Sequence, residues 1–226
     1  MRVGDYIWSQ IEPREKEFHF EWLEEAVNMF GAEGIKTVMC TPTSGIPRWI
    51  DLKYDDIHTI GFNGETRNYG SRDTFCFNHP GFREDIWRIV NEQVKRFKDN
   101  DNVILYQIDN ELACHSMECY CDNCKAAFIK YCKANFESVE EFNEEIGLVV
   151  WANEIASWDD LFLPNSFKPA NPGLLLEFKK FTSASVNDFT KFQYDIIKSI
   201  DPDMPITTNF LGNMKGFDHF EMLDTP

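Results

Sequence analysis

The order of its apolar patterns predicts an α/β fold assembled from parallel strand–helix–strand units. Three observations carry that expectation. Short apolar runs suited to strands alternate with longer stretches of helical period. The run at residues 103–108 is nearly all apolar, as a strand buried on both faces should be. Polar, chemistry-bearing residues follow each predicted strand, where such folds collect their sites.

Residues 2–8 read as a first strand, and Trp22, Leu23, Ala26, Val27 and Phe30 then keep helical spacing. Gly31 and Gly34 punctuate before a second strand at 35–40. A long polar loop with several glycines and prolines runs to about Gly81. Phe82, Ile86, Ile89, Val90, Val94 and Phe97 then form a second helical stripe. The third strand at 103–108 leads into a cysteine-rich loop with short helices. Asn171-Pro172 is a helix start, with proline at the first helical position. Phe178, Phe181, Phe189, Phe192, Ile196 and Ile200 keep the period until Asp201-Pro202 stops it, and residues 205–210 are a fourth strand. The strand ends present Trp8-Ser9-Gln10, Thr41-Pro42-Thr43, Asp109-Asn110-Glu111 and Thr207-Thr208-Asn209-Phe210. The plainer account of these is that strand-to-helix loops are polar in any case.

The chain has 226 residues, 43% hydrophobic and 27% charged, ample for one buried core but short of the ~250 of a typical eight-fold barrel. Its 20 Phe and 6 Trp argue against disorder and suit a site that stacks sugars or other flat ligands. With 22 basic against 38 acidic residues the net charge is −16, which repels phosphate backbones and anionic membranes, so nucleic acid is not an expected partner. No apolar run approaches the ~18 residues of a membrane span, and no signal core is apparent. Seven cysteines cannot all pair, which fits a reducing cytoplasm if some have another task.

The third strand ends in Gln107, Asp109, Asn110 and Glu111. A carboxylate at a strand end beside an amide suits a glycosidase: the carboxylic acid protonates the leaving oxygen and the amide holds a sugar hydroxyl. Glu111 is thus a candidate acid/base and Asn110 its neighbour. Cys119, Cys121 and Cys124 form C-x-C-x₂-C, tight enough for three thiolates to meet on one metal. The fourth ligand could be Cys76, Cys114, His115, Cys40 or Cys132, with Cys40 and Cys132 better suited to the core. A closed structural zinc is favoured. An iron–sulfur cluster is the alternative, although the spacing matches neither common ferredoxin pattern, and buried free thiols are a third. G-x-S-x-G, glycine-rich phosphate-loop and H-E-x-x-H motifs are absent, and the five histidines suggest no triad.

Taken in order, these segments resemble glycoside hydrolase family 42 β-galactosidases. The resemblance rests on Glu12-Pro13 through Phe18-His19-Phe20-Glu21-Trp22-Leu23, then Thr41-Pro42-Thr43 with Pro47 and Trp49, and Gly70-Ser71-Arg72 with Cys76. It continues through Gln107-Ile108-Asp109-Asn110-Glu111, the C-x-C-x₂-C run and Thr207-Thr208-Asn209-Phe210. It implies a (β/α)₈ TIM barrel that hydrolyses terminal β-galactosides with retention. By motif, Glu111 matches the general acid/base, Asn110 a sugar-binding neighbour, Arg72 an arginine that contacts the galactosyl unit, and Trp151 the vicinity of an active-site tryptophan whose surroundings here diverge. Cys76, Cys119, Cys121 and Cys124 match four zinc-binding thiolates, so a structural Zn²⁺ is implied. A homo-oligomeric full-length enzyme is implied as well.

Leu112-Ala113 replaces the aromatic and glycine that commonly follow the Asn-Glu pair. The resemblance further implies that residues 1–226 are one partial catalytic domain, about strands two to five of eight, with the nucleophile outside it. Alone, such a piece is expected to be inactive. Glu12, Glu65 and Asp109 are carboxylates for which nothing in the sequence implies a position opposite Glu111. Two other functions fit the same residues: a non-catalytic, zinc-stabilised carbohydrate-binding or assembly module, and a retaining barrel glycosidase of different sugar specificity.

Overall fold

A computed structural model describes residues 1–114, 118–165, 171–210 and 218–223. In chain order they form β1 (Arg2–Val3), α1 (Trp8–Ile11), α2 (Glu21–Ala32), β2 (Thr37–Cys40), α3 (Arg48–Lys53), α4 (Pro80–Phe97), β3 (Val103–Gln107), α5 (Asp122–Asn135), α6 (Val139–Ile146), α7 (Pro172–Ile200), β4 (Ile206–Thr207) and α8 (His219–Leu223). The four strands lie side by side in sequence order and every pairing is parallel. Val3 pairs with Met39, Cys40 with Gln107, and Gln107 with Thr207. Sequential parallel strands joined by helices are the construction of a (β/α)₈ barrel, of which these residues form a part.

The first strand is shorter than the expected 2–8. At Gly4 the backbone takes φ +109°, and a Cβ built there would lie 2.5 Å from the Cys40 carbonyl oxygen, so β1 turns away directly after Val3. Tyr6 follows at φ +57°, and Trp8 then opens α1, its indole N–H donating to Glu12 at 2.7 Å. The second strand starts two residues later than expected, because Gly34 (φ +76°) and the bond from the Ile35 N–H to the Phe30 carbonyl still close the end of α2. Within the described residues Val103, Tyr106 and Gln107 of the third strand are buried and Ile104 is 49% exposed. The fourth strand pairs only through Ile206 and Thr207. The expected long loop to Gly81 contains α3 and two isolated bridges, His58 with Phe75 and Ile60 with Thr66.

The helix α7 begins as the sequence indicates, and α4 begins at Pro80, just before the expected stripe from Phe82. The Asn171 side chain caps α7 by accepting from the Leu174 N–H, with Pro172 in the first turn, and His79 caps α4 in the same way ahead of Pro80. Val186, Phe189, Ile196 and Ile197 of α7 join Ile86, Ile89, Val90 and Val94 of α4 in the core under the sheet. Leu174, Phe178 and Phe181 reach a second apolar cluster with Phe128, Phe142 and five cysteines. One helix therefore ties the sheet to the cysteine-rich segment. Among the described residues no helix is long and apolar enough to cross a membrane.

Candidate functional site

The turn after β3 carries the densest set of polar side chains at the C-terminal end of the sheet. Asp109, Glu111 and Ala113 all sit in the left-handed region, at φ 53°, 51° and 61°. Such conformations are disfavoured for residues with a Cβ and persist only where surrounding bonds hold them. Those bonds are present. Thr43 donates to Asp109 Oδ2 at 2.9 Å, Ser44 donates to Oδ1, and the Asn110 N–H donates to Oδ1 at 2.7 Å. The Asp109 N–H donates to Thr41 Oγ1 at 2.8 Å. From the segment after β4, Asn209 Oδ1 accepts from Gln107 Nε2 at 2.9 Å and from the Glu111 N–H at 3.2 Å. The polar residues noted after strands two, three and four thus converge on a single turn.

Glu111 meets Arg72, with Nη2 at 2.8 Å from Oε2, and the two side chains keep 26% and 23% of their surface exposed. The same guanidinium reaches Tyr6 Oη through Nη1 at 2.7 Å. Asn110 donates to Tyr6 Oη at 2.8 Å and accepts from Arg2 Nη2 at 2.7 Å. Arg72, Asn110 and Glu111 are therefore together, linked through Tyr6 and Arg2, which the sequence reading did not single out. Both lay inside the expected first strand, and the Gly4-Asp5 pair was the available sign that the strand stops before Tyr6.

Asp73 and Asp109 lie beneath this surface group, each 1% exposed. Burial, then the nearby Asp109 carboxylate, pushes Asp73 up to about 8. Burial also raises Asp109, opposed by its hydrogen bonds from Ser44, the Asn110 N–H and Thr43. Cys114 Sγ lies 3.4 Å from Asp73 Oδ2. None of the three other carboxylates considered from sequence faces Glu111. Glu12 is buried against the Trp8 indole, the Lys16 N–H and Arg88, Asp109 is enclosed as described, and Glu65 stands in an exposed loop. Trp151 is 63% exposed on a short turn at φ 62° and, among the described residues, joins none of the bonds of the Arg72–Glu111 group.

The second constellation is sulfur-rich. Sγ atoms of Cys76, Cys119, Cys121 and Cys124 all lie within 4.8 Å of one another, and all four residues are buried. Cys76 and Cys124 are 3.3 Å apart, and Cys76 and Cys121 are 3.5 Å apart. These are free thiols, too far apart for S–S bonds of ~2.05 Å. Four thiolates around one tetrahedral ion with bonds of ~2.3 Å stand about 3.8 Å from each other, so the quartet could hold a metal ion. Cys121 caps α5, accepting from the Cys124 N–H at 3.5 Å, and Asn78 donates to Cys124 at 3.4 Å. The sulfur contacts with Cys119, Cys124 and Cys76 hold the Cys121 thiol well below its usual range. Of the possible fourth ligands Cys76 is the one in place. Cys40 is fully buried elsewhere, Cys132 is buried in the same apolar cluster but is not among the four converging thiols, Cys114 lies beside Asp73, and His115 is outside the described residues.

The family model glycoside hydrolase 42, described as beta-galactosidase, matches residues 1–225. The chain is similar to the beta-galactosidase BgaA of Clostridium cellulovorans, 36% identical over 228 residues covering 99% of this chain and 34% of that protein. It is similar to the beta-galactosidase Bga of Halorubrum lacusprofundi, 34% identical over 230 residues covering 99% of this chain and 33% of that protein. Among solved structures, the beta-galactosidase of the psychrophilic Marinomonas ef1 superposes with a TM-score of 0.95 at 32% identity, covering 98% of this chain and 34% of that one. The chain thus spans about a third of the length of the relatives it matches.

Proposed function

The chain belongs to glycoside hydrolase family 42, the beta-galactosidase family, and from that premise we propose that it forms part of one catalytic barrel domain that hydrolyses terminal β-D-galactosides with retention. The observation that carries this reading is the grouping of Glu111, Arg72 and Asn110 at the end of β3. Glu111 is the general acid/base: its carboxyl gives a proton to the departing glycosidic oxygen and later takes one from the attacking water. Its partial exposure leaves room for both partners. Arg72 and Asn110 hold sugar hydroxyls, and Trp151 is carried as a substrate contact by resemblance alone. Retention needs a second carboxylate ~5–5.5 Å from the first. Our reading assigns that nucleophile to the part of the relatives' length that this chain does not span.

The metal of the quartet is, in this reading, a structural Zn²⁺ on Cys76, Cys119, Cys121 and Cys124, because four buried thiolates leave no open position for water. Bound there, zinc supplies a crosslink between the segment preceding α4 and the segment preceding α5. Seven free thiols support a cytoplasmic location, and a homo-oligomeric full-length enzyme rests on the resemblance.

The test is turnover of a panel of p-nitrophenyl glycosides by the full-length protein that contains this chain. Fastest hydrolysis of the β-D-galactoside, with a β-configured first product, is expected. Faster hydrolysis of another glycoside replaces the sugar assignment. Binding of galactose without turnover of any glycoside replaces the enzyme with a carbohydrate-binding module.

A further inference from the structure

We propose that Tyr6 is a substrate-binding residue of this site, its hydroxyl donating to a ring hydroxyl of the sugar held between Arg72 and Asn110; the inference rests on the functional reading above.

A phenol oxygen has two acceptor positions and one proton to give. Arg72 Nη1 occupies one acceptor position at 2.7 Å, and Asn110 Nδ2 occupies the other at 2.8 Å. The orientation of the Asn110 amide is fixed independently. Its Oδ1 accepts from Arg2 Nη2 at 2.7 Å, and a guanidinium can only donate, so the atom facing Tyr6 is the amide nitrogen. Neither partner of the phenol can therefore accept its proton. Among the described residues no other group takes it.

Three further observations give that proton a destination. Tyr6 is 42% exposed, so the described residues do not enclose its side chain. The guanidinium that holds it through Nη1 holds Glu111 through Nη2, which sets the phenol and the carboxylate on one shared donor group. Burial raises the phenol above its ordinary value, against the hydrogen bond from Arg72, so the proton is kept through neutral pH. Tyr6 also stands at φ +57°, an outlying backbone for an aromatic residue, maintained here by the turn between β1 and α1. A sugar hydroxyl suits the position because it can accept from Tyr6 while donating to a neighbouring oxygen. Since Tyr6 bridges the two residues read as sugar contacts, the acceptor belongs to the sugar ring and not to the leaving group.

The experiment compares full-length protein and its Tyr6→Phe variant on p-nitrophenyl β-D-galactoside and on its four monodeoxy analogues (2-, 3-, 4- and 6-deoxy). Tyr6→Phe is expected to lower kcat/KM on the parent about tenfold to a hundredfold, since two donors lose their acceptor and the ligand loses a donor. For one deoxy analogue the ratio of the two proteins should be smaller than for the other four substrates, because the partner oxygen is already gone and only the cost of the unpaired Arg72 and Asn110 donors remains. A loss of equal size on all five substrates marks a merely structural residue and overturns the inference, as does an unchanged kcat/KM on the parent. If the phenylalanine variant melts at much lower temperature, Tyr6→Met, which fills the space without an oxygen, is measured in the same way. Absence of wild-type turnover on the parent overturns the functional reading and this inference with it. Wild-type turnover beside an indifferent Tyr6 variant overturns the inference alone.

Discussion

Arg72 and Glu111 are 39 residues apart in sequence and meet in one ion pair, 2.8 Å from Nη2 to Oε2. The pair joins the loop before α4 to the turn after β3, so the position of the carboxyl depends on two separate segments.

Glu111→Gln keeps the shape of the side chain and removes its proton chemistry. In the full-length protein, the variant should lose most on galactosides with poor leaving groups, by about 10²–10⁴-fold in kcat/KM. Substrates whose aglycone departs unaided should suffer less in the first step. Azide should restore their turnover, because a small anion attacks without a general base. Steady-state kinetics across a leaving-group series checks this. Equal loss on every leaving group without azide rescue would leave Glu111 a structural residue.

Purified protein should contain about one zinc per chain by plasma mass spectrometry if all four thiolates bind. Cys121→Ser should lose the metal and lower Tm, since binding free energy at such a site is folding free energy. Stoichiometric disulfides among Cys76, Cys119, Cys121 and Cys124 would contradict the assignment.

Asp73 gives stability a pH dependence of defined sign. Its folded value, raised to about 8, lies above the ~3.9 of an unfolded aspartate, so between the two only the folded state holds the proton. This group's contribution is present in full below the unfolded value and lost as pH rises through the folded one. Asp73→Asn, which cannot ionise, should therefore flatten the decline in unfolding free energy between about pH 4 and 8. Urea titrations at stepped pH read the slope, and identical slopes for wild type and variant would refute the assignment.

Gly4→Ala should destabilise the chain by on the order of 1–3 kcal/mol, because a Cβ would press on the Cys40 backbone at a φ that L residues disfavour. The effect should extend beyond stability, since Gly4 delivers the chain to Tyr6. Circular dichroism melts give the first quantity and kcat/KM of the full-length protein the second. An alanine variant as stable as the wild type would mean that β1 and β2 separate at little cost.

The fold was legible where periodicity and end signals agreed. Asn171-Pro172 and Asp201 bound α7 because a capping amide, a proline without an N–H and a terminating Asp-Pro act locally, whatever surrounds them. The apolar stripe from Phe82 to Phe97 marked α4 for the same reason. Asn110 and Glu111 were legible as candidates because they follow a strand, and the three spaced cysteines because ligand spacing is itself local. Cys76 as the fourth member and Arg72 as a sugar contact came from resemblance, and that Arg72 pairs with Glu111 was decided by the tertiary structure, since neither position carries a local sign of its partner. The true length of β1 depended on Gly4 meeting Cys40, a contact between strands that no window around residue 4 contains. The link from Tyr6 to Arg72 and Asn110 depended likewise on three segments meeting at one end of a parallel sheet. Local propensity and spacing were determined by the sequence itself. Which distant donors fill the lone pairs of one phenol was decided only by tertiary structure, because hydrogen bonds of 2.7–2.8 Å require positions fixed by packing across the whole sheet.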